Sequence, residues 1–172
     1  MNESAGGPGR TALDTLAELL DEAFAGASEH SLLANLRGLD DADWVALLPG
    51  AGRSIADIVE HVAWAKWMYT DYAFGPATLR GDVPPLVPEG GARSRPPAEL
   101  LDWLTEGHRR WAAAVRALAG DAELDRERLT NWGERLPTRD LIRIQLGHDI
   151  YHAGEINHIR ALLKHSDRWP YD

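Results

Sequence analysis

From Thr11 onward, apolar residues return every three or four positions. Leu13, Leu16, Ala17, Leu20 and Phe24 fall on one side of a helix, and Gly26 is a natural stop. Shorter helical pieces follow around 30–36 and 41–47, before Pro49-Gly50-Ala51-Gly52 breaks the chain. A second long helix starts at Ser54, with Asp57 three residues on as a short-acid form of the capping box, and runs to Phe74 before Gly75. Ile58, Val62, Ala65 and Tyr69 share one of its faces. Residues 76–96 are rich in Pro and Gly and read as a long crossover loop, a lid or a plain span. The third long helix begins at Pro97 with the stripe Leu101, Leu104, His108, Trp111, Val115 and Leu118, and Gly120 ends it. An acidic piece at 121–129 and the turn Asn131-Trp132-Gly133 follow, with strand-like alternation confined to 129–136. Thr138, after Pro137, is placed to cap a last helix that runs to His165, ~40 Å at 1.5 Å per residue. The pattern predicts an all-α fold, a four-helix bundle with a long crossover.

A chain of 172 residues is long enough for one domain with a full core. We expect a mobile Gly/Pro/Ser tail over residues 1–10 and a single domain over 11–172. There is no cysteine, which excludes disulfides, zinc ribbons and a cysteine nucleophile; any thiol chemistry must use a thiol from outside. The net charge of −9 argues against a nucleic-acid partner and against docking on an anionic membrane. The N-terminal residues have no apolar segment of signal-peptide type, and no apolar run approaches the ~20 residues that span a bilayer. The expected location is the cytoplasm.

The last helix carries the candidate chemistry. His148 and His152 lie one turn apart on one face, a spacing that lets two imidazoles converge on a metal ion. Random placement of 7 histidines gives roughly 0.3 such pairs, so spacing alone is weak evidence. Position strengthens it. Both interrupt the stripe Leu141, Gln145, His148, His152, Ile156, Ile159, Leu163, and buried polar groups need partners. A catalytic metal takes a third protein ligand and keeps one position open. His61 on the second long helix and His108 on the third compete for that role on spacing alone. Glu155 points to the same side as the pair and is a candidate fourth ligand, acceptor for an imidazole N–H, or catalytic general base. The tryptophans at 64, 67, 103 and 111 read chiefly as core, with a pocket wall as the alternative. Gly147 and Gly154 weaken the helix unless something must approach it closely.

Two segments bear a resemblance. Arg53-Ser54-Ile55-Ala56-Asp57-Ile58-Val59-Glu60-His61-Val62 resembles the start of the second helix in the DinB-like superfamily, which includes YfiT-like and bacillithiol-transferase proteins. His148-Asp149-Ile150-Tyr151-His152-Ala153-Gly154-Glu155-Ile156 is similar to its second histidine segment. The resemblance covers roughly residues 11–165. It implies a four-helix bundle with a divalent metal near one end, held by His61, His148 and His152, and so prefers His61 to His108 as third ligand. The family often has Gln at the position of Glu155.

Members with known activity use low-molecular-weight thiols such as bacillithiol or mycothiol, or act as metal-dependent hydrolases or isomerases. The resemblance therefore implies a metal-dependent thiol S-transferase acting on a small electrophile, ahead of a metal-dependent hydrolase and of a non-catalytic metal- or ligand-binding bundle. Zn²⁺ or Ni²⁺ is the expected ion and a low-molecular-weight thiol the expected cosubstrate. A small molecule is the expected substrate, and a homodimer the favoured assembly.

Overall fold

A computed structural model of the chain describes residues 9–27, 30–80 and 91–166. Its helices are α1 (Thr11–Ala25), α2 (Leu32–Asn35), α3 (Asp41–Val45), α4 (Ile55–Phe74), α5 (Pro97–Arg116) and α6 (Thr138–Lys164). The four long ones, α1, α4, α5 and α6, form the bundle, so the fold is the all-α one that the periodicity predicts. The only sheet among the described residues is a hairpin of β1 (Glu127–Leu129) and β2 (Arg135–Pro137), with Glu127 opposite Pro137 and Leu129 opposite Arg135. No described helix is long and apolar enough to cross a membrane.

The predicted start of α4 is present in full. The Ser54 hydroxyl accepts from the Asp57 amide, and the Asp57 carboxylate accepts from the Ser54 amide at 2.8 Å. Asp40 and Asp43 form the same reciprocal cap on α3. Two boundaries differ from expectation. α5 stops at Arg116, short of Gly120, because Arg10 terminates it: the guanidinium donates to the carbonyls of Arg116 and Leu118. Thr138 is the first residue of α6 and not its cap. Its hydroxyl, 2.8 Å from the Arg126 carbonyl, joins the helix start to the hairpin.

The other end of this arrangement is Asp121, in the 3₁₀ turn Asp121–Asp125. Its carboxylate accepts from the amides of Ala12 and Leu13 at 3.2 and 2.8 Å, capping α1, while its own amide donates to the Gly9 carbonyl. Gly9 and Arg10, expected as tail, are thus hydrogen-bonded into the bundle; residues 1–8 lie outside the described residues. So does 81–90, the middle of the predicted crossover between α4 and α5, whose ends at 76–80 and 91–96 contain only the 3₁₀ turn Ala92–Ser94.

The core has two parts. Toward one end, Leu32, Trp44, Ile55, Ile58, Val59, Val62, Leu100, Leu104 and Ile156 pack together; toward the other, Leu13, Leu20, Trp111, Val115, Leu141 and Ile142 do. α4 and α5 pack tightly where α5 has Gly107. A Cβ there would lie 3.0 Å from the Trp67 indole. Gly147 and Gly154 are different: nothing among the described residues lies within 4 Å of a Cβ built on either, so no neighbouring backbone among them makes the close approach considered from sequence.

Candidate metal centre

α4 delivers His61, and α6 delivers His148 and His152. The Nε2 atoms of His61 and His148 are 3.1 Å apart, and those of His148 and His152 are 3.2 Å apart. The ligand atoms of all three lie within 4.8 Å of one another. The rings splay around this point, with interplanar angles of 58°, 73° and 80°. Two nitrogens bound tetrahedrally to zinc at 2.0–2.1 Å would stand ~3.3 Å apart, so the observed separations match a shared ion.

Protonation points the same way. Burial pushes the His148 pKa down to about 3, and a proton on His152 or His61 opposes one on His148. Burial also lowers the pKa of His61 and of His152. All three rings are therefore neutral at pH 7. His152 Nδ1 lies 2.8 Å from Glu155 Oε2, and a carboxylate only accepts, so the His152 proton is on Nδ1 and its Nε2 presents a lone pair. His148 Nε2 faces two nitrogens and has at most one proton to offer, while its buried Nδ1 has no partner among the described residues. At most one of the two contacts can then be a proper hydrogen bond, and a cation shared by the three nitrogens satisfies them all. The residues fit a divalent ion.

Glu155 is held in turn by Arg53, whose Nη2 is 3.2 Å from Oε1. Arg53 immediately precedes the α4 cap, so the chain Arg53–Glu155–His152 ties the start of α4 to the ligand face of α6. Of the three roles considered for Glu155, the geometry displays that of acceptor for an imidazole N–H.

His108 is elsewhere. It is buried, stacked on Phe24 with ring centroids 3.8 Å apart, and its Nε2 lies 3.3 Å from Asp21. The exposed His30, His158 and His165 do not join the cluster either. Trp111 is wholly buried in the core, whereas Trp64 lines a recess beside His61 and His148.

Residues 10–156 match the DinB superfamily. The chain belongs to that superfamily. Its fold is similar to crystal structures of the mycothiol-dependent maleylpyruvate isomerase. One, a histidine-to-alanine variant, aligns with a TM-score of 0.58 at 16% identity, over 84% of this chain and 60% of that one. The other gives a TM-score of 0.56 at 16% identity, with the same coverage. This chain thus spans about three-fifths of the isomerase. No curated protein matches it in sequence.

Three residues that matter here were not singled out by sequence reasoning. Lys66 and Asp149 are both wholly buried and paired at 2.7 Å. The signal was a lone lysine in the apolar run Ala63-Trp64-Ala65-Lys66-Trp67-Met68. Gln145, noted only as part of the α6 stripe, lies one turn before His148 and is 1% exposed.

Proposed function

We propose that this DinB-superfamily protein is a divalent-metal-dependent enzyme that uses a low-molecular-weight thiol to attack a small electrophile. The observation that carries the proposal is the triad of neutral imidazoles whose Nε2 atoms face one another at 3.1 and 3.2 Å. His61, His148 and His152 would hold the ion, Zn²⁺ or Ni²⁺, both of which suit imidazole. When bound, such an ion supplies positive charge that keeps a coordinating thiol in its nucleophilic thiolate form. Three protein ligands leave a coordination position for it. The chain contains no cysteine, so the thiol enters as cosubstrate. Glu155 fixes the His152 tautomer and Arg53 fixes Glu155; both are positioning residues in this reading. The mycothiol dependence in the name of the structural neighbours supports a thiol cosubstrate.

Hydrolysis with Glu155 as general base fits less well, because its carboxylate is engaged by both His152 and Arg53. The deciding assay offers the metal-loaded protein mycothiol, bacillithiol or glutathione with chloroaromatic, epoxide and ester substrates. The expected result is turnover that saturates in one thiol and stops when the metal is removed. Thiol-independent ester cleavage would transfer the proposal to hydrolysis. Turnover that survives metal removal would defeat both, and no turnover on any pair would favour a non-catalytic bundle. The proposal includes a homodimer, which sedimentation at twice the 19.0 kDa chain mass would bear out.

A further inference from the structure

Beside the triad, on the side of His61 and His148, is a recess of about 210 Å³. Its walls are aromatic: Trp64, Tyr69 and Trp132, the last two with ring centroids 5.6 Å apart. Besides the two imidazoles, the indoles and the Tyr69 hydroxyl, its polar side chains are two amides, Gln145 from α6 and Asn131 from the hairpin turn. Both Gln145 amide atoms, Nε2 and Oε1, are buried and have no hydrogen-bond partner among the described residues; nor does Asn131 Oδ1. A buried amide with no partner costs stability, so Gln145 calls for a partner from outside the chain. Leucine would fill the same position on the apolar stripe without that cost.

The unpartnered atoms specify the ligand. On the two amides they comprise one donor group, Gln145 Nε2, and two acceptors, Gln145 Oε1 and Asn131 Oδ1; His148 Nδ1, also without a partner among the described residues, belongs to the triad. A carboxylate would meet two acceptors that it cannot satisfy. An ammonium would leave the Gln145 donor unmatched and would stand beside the divalent ion. No lysine, arginine, aspartate or glutamate lines the recess to neutralise either. A primary carboxamide suits all three atoms. Its C=O accepts from Gln145 Nε2, one N–H donates to Gln145 Oε1, and the second donates to Asn131 Oδ1. The flanking rings suit a flat group.

We propose that this recess is a binding subsite for an uncharged carboxamide, which anchors the substrate so that its reactive end faces the triad. The proposal deepens the metal-enzyme reading and rests on it only for what happens at that reactive end.

The test titrates the full-length protein, zinc-loaded and chelator-treated, with benzamide, benzoate and benzylammonium, following Trp indole and Gln side-chain signals by NMR. In the chelator-treated protein, benzamide is expected to bind at least tenfold more tightly than either charged probe and to shift the Gln145 amide signals. Gln145→Leu should abolish that preference while raising the melting temperature, since it removes an unpartnered buried amide. A glutamine serving only the fold would lower it. Asn131→Ala, on the turn, should weaken benzamide binding severalfold and provides a second arm should Gln145→Leu fail to fold. Benzoate binding as tightly as benzamide in the chelator-treated protein would overturn the proposal, as would a benzamide preference that survives both substitutions. Elemental analysis of the same samples reads the metal separately. A protein that prefers benzamide but takes up no zinc keeps the subsite and loses the enzyme reading.

Discussion

Two polar clusters lie side by side on α6, and adjacent residues lead into them. His148 and His152 face His61, whereas Asp149, about 100° further round the helix than His148, points into the core, where its Oδ2 is 2.7 Å from the Lys66 ammonium. The second cluster is paired in charge: the Lys66 ammonium meets the Asp149 carboxylate, although Asp149 Oδ1 has no hydrogen-bond partner among the described residues, and Lys66 also stands 5.2 Å from the centre of the Phe24 ring, the ring on which His108 stacks. The first is open: three neutral donors aimed at one point, held from behind by Glu155 and Arg53, with nothing of opposite charge in front. Polarity inside a bundle is therefore not itself a sign of function. What separates a site from a brace is whether the protein supplies the opposing charge itself.

The sharpest way to break the open cluster is to remove a ligand. His148→Ala or His152→Ala should take metal content from about one ion per chain to none detectable, a loss exceeding the roughly 10–100-fold typical of changes behind a ligand. Helix content by circular dichroism should hold, and His108→Ala should keep its metal. Full occupancy in the His152 variant would refute the triad. In the paired cluster, breaking one half should cost stability. Lys66→Met alone leaves a buried carboxylate unpaired and should lower unfolding free energy by about 3–5 kcal/mol, whereas the Lys66→Met/Asp149→Leu double variant should recover most of it. Equal loss in single and double variants, measured by urea denaturation, would contradict the brace.

Next in size is His108, stacked on the Phe24 ring near Lys66. Burial, and then the Lys66 charge, pushes its pKa down to about 4. The folded state therefore refuses a proton that the unfolded chain accepts near its ordinary value of 6.5. Stability is retained above that value and falls as pH drops from ~6.5 toward ~4, by about 3 kcal/mol from this residue. His108→Phe should flatten the stability–pH curve by that amount; parallel curves would show that His108 contributes nothing. The mildest change tests the back of the open cluster. Glu155→Gln keeps an acceptor oxygen for His152 Nδ1 but removes the charge, and should weaken metal affinity by roughly 10–100-fold without abolishing it. Competition with a chromophoric chelator would measure this, and unchanged affinity would leave Glu155 without a positioning role.

Much of this was legible in the sequence, for identifiable reasons. The long helices showed in three- and four-residue spacing, and the α4 start in Ser54 and Asp57, because both signals are local. The His148/His152 pair was legible because its geometry is fixed by one helix. The choice between His61 and His108 was not legible from spacing. Each sits on an apolar face, and which face meets α6 depends on how helices rotate against one another. The Lys66–Asp149 pair was hidden for the same reason, its members being 83 positions apart. The end of α5 was misplaced because its terminator, Arg10, comes from the other end of the chain.

That last arrangement has a consequence for how the molecule opens and closes. Leu13 and Asp121 are 108 positions apart, as are Arg10 and Leu118. These contacts form only after a long loop has closed, so α1 is expected to dock after α4 and α5 have met. Once docked, the first turn of α1 and the last turn of α5 share their caps, and neither can fray alone. Their amides should exchange with solvent at a common rate, as one cooperative unit. A fusion placed ahead of Gly9 leaves that unit whole, whereas a truncation that removes Arg10 loosens two helices with one cut.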